Sequence, residues 1–278
     1  MLAGPLWLFR REWLWSCLVV MLLAACATPS ARIERIAADA GLRQEVVRGA
    51  DFRHLVLYRR DEVAARRLHV YIDHDGKPWI GGTRVASDPS PRTPLALEFM
   101  LQDPAAAIYV GRPCHFGAAG QPGCHPLIWT HARYGEAVVA SMAAVIEQWL
   151  SKTGRTELVL IGYSGGGTLA SLLAARLPQT VGLLTIAANL DVDAWTALHR
   201  YSPMIGSLDP AQSDALDSHI VQHHHVGVRD RNVPPELLAR FVAKEPGARL
   251  FMHPDFDHVC CWVAAWPRLL DELSAALP

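Results

Sequence analysis

The sequence predicts an α/β fold, in which a mostly parallel central sheet carries helices on both faces. Short apolar runs alternate with longer segments that have apolar residues at helical spacing. Glycine and proline clusters separate these runs, and no internal repeat or low-complexity tract interrupts them. Such alternation of strands and helices is typical of a parallel sheet whose two faces are covered.

The elements follow from these patterns in chain order. The apolar runs predicted to be strands are His54–Tyr58, Leu68–Ile72, Ala107–Val110, Leu158–Ile161, Val181–Ala187, Ile220–Val228 and Arg249–Met252. Helical spacing predicts helices over Leu95–Leu101, Tyr134–Leu150, Gly165–Ala175, Pro235–Ala243 and Cys261–Leu277. Residues 191–218 show no strong period, and we expect them to form a small lid-like insertion with short helices.

Composition indicates one globular domain. The chain has 278 residues, of which 51% are hydrophobic, and its formal net charge is −1. This length is sufficient for one sizeable core. A near-neutral charge without a polybasic run gives no reason to expect a nucleic-acid partner. We expect the domain over residues 51–278, preceded over 26–50 by a polar linker with a short helix.

Residues 1–25 are predicted to be an export signal and not part of the fold. Two adjacent arginines precede an apolar stretch over residues 14–25, which is too short to span a membrane comfortably. The stretch ends Leu-Ala-Ala before Cys26, and in this it resembles the bacterial lipoprotein signal. The resemblance implies that Cys26 becomes the lipidated first residue, held on the outer membrane facing the periplasm. A plain signal peptide and an uncleaved anchor are the alternatives.

Cysteine usage agrees with export. Four cysteines lie beyond Cys26, and an even number in an oxidising compartment suggests disulfides. Cys114 and Cys124 bracket a loop rich in glycine and proline and are the preferred pair. A metal site built with the histidine after each of them is an alternative, but the spacing matches no established zinc pattern. The adjacent Cys260 and Cys261 could form a vicinal bridge, stay free or pack as small hydrophobic side chains.

The central motif is Gly-Tyr-Ser-Gly-Gly-Gly at residues 162–167. A predicted buried strand runs into Ser164 and a helix follows, so the serine lies on a sharp turn. Glycines on both sides relieve crowding at such a turn and let a substrate carbonyl approach. The helix directs its N–H groups and the positive end of its dipole at the serine. These surroundings suit a nucleophile, whereas a glycine-rich packing turn is the structural alternative. A P-loop is excluded because no Gly-Lys-Ser/Thr follows.

A serine nucleophile needs a base, and the base needs an orienting acid. Asp230 follows a predicted strand, in a segment Asp-x-x-Val-Pro, and His258 lies between the last strand and the last helix. Serine, acid and histidine in this order resemble the α/β-hydrolase superfamily, over nearly all of the mature chain. The Gly-Tyr-Ser-Gly-Gly-Gly turn at residues 162–167, called the nucleophile elbow in that superfamily, is similar to that of a bacterial lipoprotein branch. The resemblance implies the α/β-hydrolase fold, with Ser164 as nucleophile, Asp230 as acid and His258 as general base. Asp191 and Asp193 are alternatives for the acid.

The resemblance also implies an oxyanion hole made of two backbone N–H groups. One belongs to Gly165, directly after the nucleophile. The other belongs to Asp75, in the turn where many relatives carry His-Gly-x, although His74 stands here where glycine is usual. An ordinary Asx-type turn is the alternative for this segment. Further residues that could shape a substrate pocket are Arg112, Trp129, Arg133, Tyr134 and the run from Asn189 to Trp195.

Three consecutive histidines, His223, His224 and His225, invite a metal interpretation. Strand alternation directs His223 and His225 to one side of the sheet and His224 to the other. They cannot all bind one ion, so we expect packed or hydrogen-bonded histidines.

These observations predict a membrane-tethered periplasmic serine hydrolase acting on an ester, thioester or amide bond. Carboxylesterase or lipase activity is favoured among these by analogy of fold alone. The expected partners are a small acyl substrate and, through the lipid on Cys26, a membrane; no nucleic acid, metal or cofactor is expected. The alternative is a non-catalytic envelope lipoprotein that uses a hydrolase scaffold for binding.

Overall fold

A computed structural model describes residues 28–59 and 65–278 and contains an eight-stranded central sheet. Its strands are β1 (Arg43–Arg48), β2 (Arg53–Tyr58), β3 (Arg67–Ile72), β6 (Ala107–Val110), β7 (Glu157–Tyr163), β8 (Thr180–Ile186), β9 (Val221–Gly227) and β10 (Ala248–His253). Their order is β1-β2-β6-β3-β7-β8-β9-β10. The β1–β2 and β2–β6 pairs are antiparallel, and every other neighbouring pair is parallel. A separate hairpin consists of β4 (Trp79–Ile80) and β5 (Arg84–Val85).

Helices cover both faces of the sheet. They are α1 (Pro29–Asp39), α2 (Leu95–Gln102), α3 (Glu136–Thr153), α4 (Gly165–Ala174), α5 (Val192–His199), α6 (Pro235–Val242) and α7 (Trp262–Ala276). One core cluster joins α3 and α4 to the sheet, and a second joins α1, α2 and α7 to its opposite face. The prediction of a mostly parallel sheet covered on both faces is confirmed. β7 is buried almost throughout because it has a strand on each side and helices above and below.

The N-terminal part of the fold differs from the sequence prediction. We expected a linker over residues 26–50, but α1 buries Ile33 and Ala37 in the core, and β1 pairs with β2 along its whole length. The folded unit therefore includes this segment, and the boundary predicted at residue 51 lies too far along the chain. The predicted signal over residues 1–25 and the lipidation site Cys26 lie outside the described residues.

The insertion over residues 191–218 contains α5 and a short 3₁₀ turn (Pro210–Gln212). Within residues 28–59 and 65–278, no helix combines the length and apolar character needed to cross a membrane.

Candidate active site

Ser164 occupies the sharp turn between β7 and α4, close to the middle of the sheet. Its backbone lies at φ 52° and ψ −123°, a conformation that costs free energy for a residue with a side chain. Glycine is required at positions 162 and 166 because no larger side chain would fit there. A Cβ at Gly162 would overlap the carbonyl oxygen of Gly166, and a Cβ at Gly166 would overlap that of Ile72. The turn is therefore packed tightly against β3.

The structure brings His258 and Asp230 to this serine. The Nε2 atom of His258 lies 3.1 Å from Ser164 Oγ, and its Nδ1 atom lies 2.7 Å from Asp230 Oδ2. The Asp230 side chain is fully buried, and its Oδ1 atom accepts the backbone N–H groups of Asn232 and Val233, each at 2.8 Å. Because an ionised carboxylate only accepts, Nδ1 of His258 carries the proton and Nε2 has the free lone pair.

The alternative acids are engaged elsewhere. Asp191 caps α5, where its carboxylate accepts the N–H of Ala194 at 3.0 Å. Asp193 is exposed and accepts a hydrogen bond from the side chain of Gln212. Of the three candidates, Asp230 alone lies against the histidine.

Two residues beside the serine also contact His258. The Tyr163 hydroxyl donates to the backbone carbonyl of His258 at 2.9 Å, so the elbow itself holds the histidine loop. The amide nitrogen of Asn232 lies 3.1 Å from His258 Nε2, which is the atom that also faces the serine. The sequence did not suggest a role for either side chain, because both contacts depend on how separate loops meet.

Asp75 belongs to a partly buried cluster of charged side chains directly over Gly165, and 17% of its own side-chain surface is exposed. Its carboxylate pairs with Arg112, pairs with Arg133 at 2.8 Å, and accepts the Tyr134 hydroxyl at 2.7 and 2.9 Å. Burial alone raises the pKa of Asp75, but the charges of Arg133 and Arg112 outweigh it and hold that pKa well below its usual range. A Cβ at Gly165 would overlap this carboxylate, so the Asp75 loop and the elbow are in close contact.

Burial also shifts the pKa values of the two residues before Asp75. Desolvation lowers the pKa of His74 to about 4, so its ring is neutral; Nδ1 accepts the N–H of Gly76, and Nε2 therefore donates to the carbonyl of Thr93. Desolvation raises the pKa of Asp73 to about 8, since only part of its carboxyl group is hydrogen-bonded. These hydrogen bonds hold the turn at His74, the position at which the resemblance led us to expect glycine.

A cavity of about 430 Å³ opens above Ser164. His258, Gly165 and Asp75 line it, as do four residues that the sequence suggested for the pocket: Arg133, Tyr134, Asn189 and Trp195. The other two residues that the sequence suggested lie behind the residues that line the cavity. Arg112 is buried against Asp75, and Trp129 packs beside Cys114.

The structure joins Cys114 to Cys124, with their Cα atoms 5.5 Å apart. The bridged loop packs on Trp129 and Phe52 next to the sheet edge. Cys260 and Cys261, which the sequence left open, are also joined to each other, at the start of α7 and two residues beyond His258. Among residues 28–59 and 65–278, no group of three or more histidine, cysteine or acidic side chains is placed to hold a metal ion.

The three consecutive histidines of β9 are buried in the core. His224 bonds Thr185, whereas His223 and His225 face Phe251 on the other side of the sheet, in the alternation expected for a strand. A second serine–histidine contact, between Ser141 Oγ and His54 Nε2 at 2.8 Å, is fully buried between β2 and α3. A substrate cannot reach that pair, so Ser164 is the candidate nucleophile.

The fold is shared with solved hydrolase structures at low sequence identity. An α/β serine hydrolase without a lid from Xanthomonas campestris is 15% identical, with 85% of this chain and 95% of that chain covered and a TM-score of 0.55. An esterase from Pyrococcus furiosus is 12% identical, with coverage of 85% and 92% and a TM-score of 0.58. A putative hydrolase from Agrobacterium vitis is 19% identical, with coverage of 84% and 97% and a TM-score of 0.55. Comparison of the sequence with protein-family models and with curated proteins finds no match. The chain therefore has the α/β-hydrolase fold.

Proposed function

We propose that this protein is a serine hydrolase that cleaves a carboxylic ester, or a related thioester or amide, through an acyl-enzyme on Ser164. The observation that carries the proposal is the hydrogen-bonded chain from Ser164 Oγ through His258 to the buried Asp230, at the floor of an open cavity. A nucleophile, a base and an orienting acid in this geometry suit acyl transfer.

In the acylation step, Ser164 Oγ attacks the substrate carbonyl carbon while its proton passes to Nε2 of His258. Asp230 fixes the imidazole tautomer and stabilises the imidazolium that forms. His258 then gives this proton to the leaving-group oxygen, sulfur or nitrogen as the tetrahedral intermediate collapses. In deacylation, a water molecule loses a proton to the same Nε2 atom and attacks the acyl carbon, which releases the acid and restores Ser164.

The oxyanion is assigned to the backbone N–H groups of Gly165 and Asp75. Gly165 is the first residue of α4, and the first N–H groups of a helix have no partner within it. An unpaired carboxylate next to an oxyanion would repel it, but Arg112 and Arg133 more than neutralise Asp75. This neutralisation supports the assignment of an anion site beside that residue.

Esters are the first choice of substrate class, since the structures with this fold include a protein named as an esterase. The test is labelling of the full chain, in detergent, with a fluorophosphonate probe, in which Ser164 Oγ would displace fluoride from phosphorus. We expect one adduct, mapped by peptide sequencing to Ser164. It should be absent in Ser164→Ala and His258→Ala and retained in the matched controls Ser202→Ala and His125→Ala, which change exposed residues.

The outcome decides between catalysis and its alternative. Labelling of Ser164 that persists in His258→Ala would contradict the role given to the histidine. A folded protein that takes no label and hydrolyses no short acyl ester would favour the non-catalytic binding lipoprotein.

We also propose that lipid on Cys26 tethers the protein to the periplasmic side of a bacterial membrane. The support is the sequence alone, an apolar segment that ends Leu-Ala-Ala-Cys. Cells fed an alkyne-tagged fatty acid should label the wild-type chain and Cys17→Ser but not Cys26→Ser. Equal labelling of the two variants would refute the assignment.

A further inference from the structure

We propose that the substrate of Ser164 carries an anionic group at the end of its acyl chain, and that Lys77 and Arg92 recognise that group. This inference rests on the function proposed above and concerns the same cavity. Three features support it: the charge on the cavity wall, the loops that carry the two cations, and the side on which the leaving group lies.

Positive charge exceeds negative charge on the cavity wall. Of the described residues that line it, Asp75 is the one carboxylate, and Arg112 and Arg133 more than neutralise it. Lys77 and Arg92 line the same cavity, and neither forms an ion pair with any described residue. A bound substrate therefore meets a net positive field, which favours an anion.

The two cations stand on loops that are tied to each other. The N–H of Lys77 donates to the carbonyl of Pro89 at 2.8 Å, which joins the loop after β3 to the segment that carries Arg92. His74 bonds the carbonyl of Thr93 at 3.2 Å, one residue beyond Arg92. The backbone positions of both cations are thus fixed relative to the elbow, although their side chains reach solvent.

The acidic residue nearest to Arg92 in the sequence is engaged elsewhere. Asp88 accepts the hydroxyl of Ser30 at 2.8 Å and the N–H of Ser90 at 3.1 Å. Ser90 is itself fully buried, so this carboxylate is drawn toward α1 and away from the cavity. Asp88 therefore does not pair with Arg92, and the guanidinium group can bind an anionic ligand.

The sheet order decides which part of the substrate meets the cations. Lys77 and Arg92 follow β3, on one side of β7, whereas Asn232 follows β9 on the other side. His258 reaches Ser164 next to Asn232, and it must deliver a proton to the leaving group. The leaving group therefore lies on the β9 side, and the acyl group extends along the β3 side toward the two cations.

The part of the cavity between Ser164 and the two cations fits a short apolar chain. Pro78 and Leu95 line the same wall, and the cavity of about 430 Å³ is of the size that binds small molecules. A short acyl chain with a terminal carboxylate satisfies both the apolar surface and the charge.

The kinetic test compares two substrates of equal acyl length, the 4-nitrophenyl monoester of adipic acid and 4-nitrophenyl hexanoate, on the full chain in neutral detergent. We expect the wild-type kcat/KM to be about tenfold higher for the adipate ester, because two exposed cations contribute about threefold each. Lys77→Met and Arg92→Gln should each reduce this ratio about threefold, and Arg92→Glu should reduce it further. The control Arg48→Gln, which changes an exposed arginine of β1, should leave it unchanged, and 0.5 M NaCl should lower it in the wild type through screening.

A binding experiment tests the same idea without catalysis. Calorimetry on Ser164→Ala should give tighter binding of the adipate ester than of the hexanoate ester, and the difference should disappear when Lys77→Met and Arg92→Gln are added. Equal binding of the two esters would overturn the proposal whether or not the wild type hydrolyses esters.

The outcomes separate the two proposals. A wild type that hydrolyses hexanoate as fast as adipate keeps the serine hydrolase function and refutes the anionic substrate. A wild type that hydrolyses neither ester and takes no fluorophosphonate refutes the hydrolase function, while the calorimetry still decides anion recognition. A hexanoate ester with the carboxylate on its leaving group completes the set, and a preference for that ester over the adipate ester would overturn the acyl-side assignment.

Discussion

Lowering the pH from 7 to 5 should remove at least about 5 kcal/mol from the free energy of unfolding, mainly through buried histidines. Burial lowers the pKa values of His54, His74 and His115 to about 4 and that of His224 to about 3. In the unfolded chain the same side chains titrate near 6.5. Below that pH the unfolded state binds more protons than the folded state, so the stability that these groups give at neutral pH is lost as the pH falls.

The magnitude follows from proton linkage. Between pH 7 and pH 5, each histidine with a folded pKa of about 4 and an unfolded pKa of about 6.5 removes about 1.9 kcal/mol, or about 7.5 kcal/mol for the four. Asp73 acts in the opposite direction. Burial raises its folded pKa to about 8, so the folded state binds the extra proton and gains about 2.6 kcal/mol over the same interval. These five groups together give a net loss of about 5 kcal/mol, which equals the whole stability of a marginal domain. The lowered pKa values of His223, His225 and His253 add to this loss in the same direction.

The assay is urea unfolding followed by circular dichroism at pH 7, 6 and 5 and constant ionic strength. His54→Gln removes one buried imidazole and should reduce the pH-dependent loss by about 2 kcal/mol. The control His125→Gln changes an exposed histidine and should leave the loss unaltered. A wild-type free energy of unfolding that falls by less than about 1 kcal/mol between pH 7 and pH 5 would refute the reasoning.

Three further substitutions test the structure around the site. Replacing Cys114 and Cys124 together by serine should lower the free energy of unfolding by about 3 kcal/mol, since the bridge closes a loop of sequence separation 10; urea unfolding measures this, and no loss would contradict it. Tyr163→Phe removes the bond to the His258 carbonyl and should cost about 1 kcal/mol, with slower labelling of the serine; unchanged values in both assays would count against this role. Gly166→Ala forces a Cβ into a carbonyl of β3 and should abolish fluorophosphonate labelling, so a fully labelled variant would be incompatible with the observed turn.

The sheet interior was predictable because its strands are continuous apolar runs. The predicted strands lie within about two residues of the observed ones, as buried parallel strands between turn signals should. β1 was missed for the opposite reason. Arg43–Arg48 is a sheet edge with several charged side chains and Val47 as its one buried residue, and polar edge strands carry little periodic signal.

The candidate site also has one part that local sequence patterns predict and another part that they do not. Ser164, Asp230 and His258 could be proposed from local motifs and their order, and the structure brings these three side chains together. The Asp75 cluster could not, because Asp75 meets Arg112 and Arg133 from 37 and 58 residues away in the chain. Only the packing of the loops after β3 and β6 brings these charges together.

This cluster links the geometry of the proposed oxyanion hole to the charge of the cavity. Oxyanion stabilisation requires donors that are fixed before the reaction begins. In this turn the carboxylate of Asp75 is held from outside by Arg112, Arg133 and Tyr134. Anchoring through a partly buried carboxylate requires compensating cations, since a charge that loses water without gaining a partner is costly. Two guanidinium groups on one carboxylate leave an excess of positive charge beside Gly165. The same contacts that fix the turn therefore also favour an anion in the cavity, both the oxyanion of the reaction and the acyl-chain anion that we propose.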